Sequence, residues 1–144
     1  MQQAGVERRE QTRDHVLQLL EERQHMLVSY CELAGLDPYV SSKPVEEKLR
    51  SFCQKLVDYL ATGHFTIYDR IENGNEYRSH VLEVAREVMP GIEDTTDISV
   101  AFNDKYDESD HALQLDYLAS DMDMLGESLG TRADYEDRLI NALI

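Results

Sequence analysis

The chain has 144 residues, with 29 Asp and Glu against 14 Lys and Arg, a formal net charge of −15, three prolines, seven glycines and no tryptophan. That length fits one domain, 1–144, with a sizeable core, since domains commonly run to about 100–150 residues. Apolar runs far short of the roughly 20 residues of a bilayer span, a polar N-terminus unlike a secretory signal and a surface that repels phosphate together imply a soluble, cytoplasmic protein that binds neither membrane nor nucleic acid.

In chain order, Val16, Leu19, Leu20, Arg23, Met26, Leu27, Tyr30 and Leu33 recur at helical steps and predict a long amphipathic helix ending near Gly35, before Asp37-Pro38. Ser42-Lys43-Pro44 starts the next helix, with Glu46 and Glu47 in the first turn, where the helix dipole favours acids. Phe52, Leu56 and Leu60, with Tyr59 beside them, form one apolar stripe that Asp58 interrupts. Gly63-His64-Phe65 then breaks or bends the helix, Ile67, Tyr68 and Ile71 resume the stripe, and Asn73-Gly74-Asn75 closes the element. Val81, Val84, Ala85 and Val88 predict a further helix to Met89, after which Pro90-Gly91 turns the chain. Ile92, Thr95 or Thr96, Ile98, Ser99, Phe102 and Tyr106 carry the next helical stripe. Another begins at about Ser109 and runs through Ala112 or Leu113, Tyr117, Leu118, Asp121, Met122, Leu125 and Leu129. Gly130 and Thr131 allow a cap and restart, and Ala133, Glu136, Leu139, Ile140 and Leu143 complete the last helix. No alternating β-branched run competes, so the expected class is all-α, an antiparallel four-helix bundle with accessory helices.

The residue types that could carry chemistry are poorly spaced for it. His25, His64, His111 and the acids Asp58, Asp69, Asp121, Glu136 and Asp137 are the candidates for a metal. A di-iron bundle wants Glu-x-x-His pairs on two helices, but only Glu22-Arg23-Gln24-His25 offers one. There is no Gly-x-Ser-x-Gly elbow, no phosphate-cradling glycine loop and no Cys-x-x-Cys, and Cys31 and Cys53 read as core thiols. The expectation is a protein that is not an enzyme and holds no cofactor or metal. A metal- or small-molecule-binding bundle built on a His64 and Asp58 cavity is the alternative, and an acidic scaffold for some other basic partner is a third reading.

Charge is unevenly placed. Residues 1–92 hold 15 acids and 11 bases, a net −4, whereas residues 93–144 hold 14 acids and 3 bases, a net −11. A basic protein is a natural partner for such a surface.

The central block, Phe52-Cys-Gln-Lys-Leu-Val-Asp-Tyr-Leu-Ala-Thr-Gly-His-Phe-Thr-Ile-Tyr-Asp-Arg-Ile71, resembles the signature of the Rsd/AlgQ family, bacterial regulators of the housekeeping sigma factor of RNA polymerase. Arg23-Gln-His-Met-Leu-Val-Ser-Tyr30 is similar to that family's Arg-x-His-Leu-Leu-Val-x-Tyr segment, and weaker likeness runs through Ala101-Phe-Asn-Asp104 to Tyr135-Glu-Asp-Arg-Leu-Ile140. It thus covers most of the chain from about Leu17. Where the family places a tryptophan before Arg-x-His, this chain reads Leu19-Leu20-Glu21-Glu22.

The resemblance implies a helical bundle that binds the sigma factor's C-terminal promoter-recognition domain, a basic helix-turn-helix module, and keeps it from core polymerase and promoter DNA. It also implies two further partners, the sugar-transport phosphocarrier HPr and an alarmone-metabolising enzyme. Carried over residue by residue, it places the contact face around Asp58, Tyr59, His64, Phe65, Tyr68 and Asp69, with Arg23, Met26, Leu27 and Tyr30 on the adjoining helix. Some of these must be core, and Leu27 and Phe65 are the two most expected to turn inward. Asp58 is expected either to meet the partner or to be a buried acid bonded to Tyr30, His64 or Tyr68.

Overall fold

The computed structural model describes the backbone of residues 2–107 and 114–144, and the side chains among them from Gly5 on. Four long helices make the fold: α1 (Gln2–Ala34), α2 (Val45–Gly63), α4 (Ser79–Tyr106) and α5 (Leu118–Leu143), with the single turn α3 (Asp69–Glu72) between α2 and α4. A π turn, His64–Tyr68, joins α2 to α3 without a break. Among the described residues there is no strand, and no helix is long and apolar enough to cross a membrane.

Cross-helix contacts fix the directions. Tyr30 meets Phe52 while Leu19 lies beside Gly63, so α1 and α2 are antiparallel. Lys105 pairs with Asp121, Arg132 reaches Thr95, and Arg78 reaches the Leu143 carbonyl, so α4 and α5 are antiparallel as well. Phe52 stacks edge-on against Phe102, joining α2 to α4, and Tyr30 donates to the Met122 carbonyl, joining α1 to α5. The result is an up-down-up-down bundle, the arrangement that the helical stripes predict. Its buried apolar residues, among them Leu19, Met26, Phe52, Leu56, Val88, Ile92, Phe102, Leu125 and Leu139, form one cluster.

Three boundaries differ from the sequence reading. Pro90-Gly91 does not turn the chain, because α4 runs through it. Pro90 is exposed, where water can take the carbonyl that its missing N–H leaves unpaired, while Val88 and Ile92 are buried on the other side and hold the helix together. Gly91 is required there for space, since a Cβ would lie 2.3 Å from the Tyr135 ring of α5. Gly130-Thr131 makes no restart, and α5 continues through it with Thr131 bonded back to the Glu127 carbonyl at 3.1 Å. The helix start expected near Ser109, with Ala112 or Leu113 in its stripe, falls at 108–113, outside the described residues; α5 itself begins at Leu118. The stop at Gly35 is as expected: its φ is +71°, and the Leu36 N–H reaches back to the Cys31 carbonyl in a Schellman closure.

Candidate functional site

The π turn decides what the central sequence block can do. Tyr68 lies nine positions after Tyr59, and at about 100° per residue a regular helix would set them roughly 180° apart. A π turn absorbs about one extra residue, which removes on the order of 100° of that phase difference. Both hydroxyls therefore reach a single carboxylate, Glu136 of α5. Tyr59 donates a short bond to Oε1, and Tyr68 donates to Oε2 at 2.5 Å. Gly63 permits the turn, since a Cβ on it would lie 2.8 Å from the Tyr68 ring.

Around Glu136 the remaining helices converge. Arg132, one turn earlier on α5, donates through Nε to Glu136 at 3.3 Å and to the Tyr59 oxygen at 3.1 Å. Its Nη1 donates to α4, at the Thr96 hydroxyl (2.6 Å), the Thr95 hydroxyl (3.2 Å) and the Ile92 carbonyl (3.3 Å). Arg23 of α1 pairs with Glu136 at 3.4 Å and with the exposed Asp137 at 2.9 Å. Arg132 and Glu136 are each 1% exposed. A buried ion pair contributes little net stability against apolar packing, but losing either half leaves a charge unpaired in the core.

The titration of these groups follows from that burial. Burial and then the charge of Glu136 push the Tyr59 and Tyr68 hydroxyls well above the ordinary phenol range, with Arg132 pulling the other way. Burial would lower the Arg23 pKa, but Asp137 and Glu136 outweigh it and the net shift is upward. The two phenols and the two guanidinium groups therefore keep their protons across the physiological range.

Placement of the predicted contact residues separates them into two groups. Tyr59 (1% exposed), Tyr68 (5%) and Met26 (1%) are core, which corrects the expectation that they face a partner: the tyrosines serve the Glu136 node, and Met26 packs in the apolar cluster. Leu27 and Phe65, expected to turn inward, are instead 38% and 76% exposed. The π turn swings Phe65 outward, with the exposed His64 ring edge-on to it at 4.8 Å.

Asp58 is partly exposed and takes a hydrogen bond from Gln54 of its own helix at 3.0 Å. It bonds to none of Tyr30, His64 and Tyr68, so its buried-network role is also corrected. Asp69 takes the Asn73 amide at 2.9 Å and remains partly exposed. Tyr30 packs so tightly on α5 that a Cβ on Gly126 would lie 2.2 Å from its hydroxyl oxygen.

Along the outer side of α1, Leu20, Arg23, Gln24, Leu27, Val28 and Cys31, with Tyr39 folded over them, line a groove of about 400 Å³. Cys31 is thus a partly exposed groove residue instead of a core thiol, whereas Cys53 is buried. The contacts of Asp58 and His64 are separate, Asp58 with Gln54 and His64 with Phe65, and among the described residues no three His, Cys, Asp or Glu side chains gather as a metal would need. His111 lies outside the described residues.

The whole length of this chain, residues 1–144, matches the family described as regulator of RNA polymerase sigma(70) subunit, Rsd/AlgQ. The chain belongs to the Rsd/AlgQ family. Curated relatives agree: it is 38% identical over 130 residues to the regulator of sigma D of Yersinia enterocolitica, covering 85% of this chain and 76% of that protein. It is 38% identical over 127 residues to the regulator of sigma D of Salmonella paratyphi B (84% and 76% covered), and 36% identical over 130 residues to that of Yersinia pseudotuberculosis (85% and 75%).

In this Rsd/AlgQ protein the most specific sequence block, from Phe52 to Ile71, codes for the scaffold as much as for a surface. Arg132 escaped the sequence reading because an arginine between Gly130-Thr131 and Ala133 looks like solvated helix. Its one sequence signal is Glu136 at i+4 on the apolar stripe of Leu125, Leu129 and Leu139.

Proposed function

We propose that this chain is an anti-sigma regulator. It binds the C-terminal promoter-recognition domain of the housekeeping sigma factor and sequesters it from core RNA polymerase and promoter DNA. The full-length family match carries the reading. Chemistry consistent with it is the net charge of −15, which steers a basic helix-turn-helix domain and stands in for the phosphates that it would otherwise contact. The contact face we assign runs over the α1 groove around Leu27 and the outward side of the π turn, where His64, Phe65, Asp58 and Asp69 are exposed in part or fully.

Phe65 and Leu27 supply the apolar anchors, and burying a side chain of that size is worth about 1.5–3 kcal/mol. The acids supply register and on-rate. The Arg23, Tyr59, Arg132 and Glu136 node beneath them holds the helices in one arrangement, so binding need not pay to order the face. No catalytic step is involved, and a partner on the polymerase puts the work in the cytoplasm. HPr and an alarmone-metabolising enzyme, the further partners that the resemblance implies, would meet the same acidic exterior, and co-elution with each on a sizing column tests them.

A competition assay tests the sequestration. Labelled promoter −35 DNA is bound by the isolated sigma domain, and the chain is titrated in. The proposal expects the chain to release the DNA in proportion to a one-to-one complex, and DNA that stays bound at saturating chain would refute it.

A further inference from the structure

At the end of the bundle opposite the α1–α2 connection, the first turns of α1 and the loop from α3 into α4 enclose a pocket of about 540 Å³. It is lined by Arg8, Arg9, Thr12, Arg70, Glu76 and Arg78 among others. Four of the chain's 14 basic side chains thus surround one cavity with a single carboxylate, a local +3 on a protein of −15. We propose that this pocket binds a small phosphate-bearing molecule with two or more phosphoryl groups.

Three observations argue for it. First, Arg78 is held in place. Glu76 is 7% exposed and holds Arg78 through Nε at 2.9 Å, while Arg78 Nη1 is fixed on the Leu143 carbonyl at 3.1 Å. Second, Arg70 is under-satisfied: Nη1 donates to Thr12 at 3.1 Å, but Nε and Nη2 are buried without a hydrogen-bond acceptor among the described residues, Glu76 standing 3.6 Å from Nη2. Buried donors on a cation are costly to leave unmade, so the guanidinium of Arg70, which lines the pocket, is short of counter-charge. Burial, opposed by Glu76 and aided by Arg78, already lowers the Arg70 pKa, as expected for a cation short of counter-charge.

Third, the volume fits a small organic ligand, since such sites run to about 300–1,000 Å³. Guanidinium forks match phosphate oxygens two at a time, which a lysine patch would not do. The acidic remainder of the surface opposes binding only weakly, because its charges are screened beyond about 8 Å at physiological ionic strength. Arg8 and Arg9 are exposed on the rim, where they can close on a ligand.

Isothermal titration of the full chain at fixed ionic strength tests the site, with pyrophosphate, ADP, orthophosphate and sulfate as probes. Pyrophosphate or ADP should bind at least tenfold more tightly than sulfate; tighter ADP would assign an organic diphosphate, and equal affinities a bare diphosphate. The Arg8→Glu/Arg9→Glu variant should weaken binding at least tenfold with an unchanged melting temperature, while the same charge change at the exposed Lys43 and Arg86 should leave most of it. Arg70→Lys should also weaken it, and because that variant can lose stability the rim variant stands as the independent reading. Pyrophosphate and ADP binding no better than sulfate, or as well to the rim variant as to the parent, would overturn the proposal.

Discussion

Replacing Arg132 by Met keeps the length of the side chain and removes every donor it contributes. Glu136 is then left in the core with two tyrosine hydroxyls and Arg23 at 3.4 Å, and the Thr95 and Thr96 hydroxyls and the Ile92 carbonyl lose their shared guanidinium. Breaking a buried pair from one side costs about 3–5 kcal/mol, which for a chain of this size lowers the melting temperature by roughly 10–15 °C. Glu136→Leu should cost about as much, because it strands Arg132 among neutral acceptors. The double variant removes both charges at once, leaving mainly hydroxyls to be re-satisfied at about 1–3 kcal/mol each. It should therefore be less destabilised than the two singles added together by at least ~2 kcal/mol. Chemical denaturation of all four proteins, read by far-ultraviolet circular dichroism, closes the cycle. Single variants that each cost under about 1 kcal/mol, or a strictly additive double, would refute the idea that this pair ties the helices together.

Other consequences follow from the same geometry. Gly63→Ala should push the Tyr68 ring off its seat and cost about 1–3 kcal/mol in denaturant titration, as overpacking does, whereas Gly130→Ala, which meets nothing within 4 Å, should be neutral or stabilising. Because the Tyr59 and Tyr68 hydroxyls are raised above their unfolded value near 10, the stability that they confer is complete below about pH 10 and lost as pH rises beyond it. Phenolate absorbance should accordingly show Tyr59 and Tyr68 ionising only with unfolding, and their ionisation in folded protein would contradict the burial. Phe65→Ala and Leu27→Asp should each weaken sigma binding by roughly 1–3 kcal/mol while leaving the melting temperature within a few degrees, a pattern that calorimetry and thermal scans check together.

The sequence carried the fold further than it carried the surface. Stripes such as Val81, Ala85 and Val88, and Leu125 and Leu129, point to the core because burial is what their period encodes. Pro90 was misleading because a proline breaks a helix only where its neighbours have no competing reason to stay, and Val88 and Ile92 have one. The central block was harder. Periodicity alone set Tyr59 and Tyr68 on a polar joint without saying which way they point, since one residue of π insertion shifts every later side chain by about 100°. That shift is why Tyr68 is inside and Phe65 outside, the reverse of what their types suggest. Arg132 had no local signal strong enough to separate it from surface arginines, because apart from Glu136 its hydrogen-bond partners lie on two other helices, α2 and α4.

Calorimetric titration of the purified chain with the isolated C-terminal domain of the housekeeping sigma factor, at low salt and again at physiological salt, bears most directly on the anti-sigma reading. That reading predicts a one-to-one complex whose association slows and whose affinity falls as salt rises, since exposed charges do the steering. No heat and no complex at low salt would contradict it.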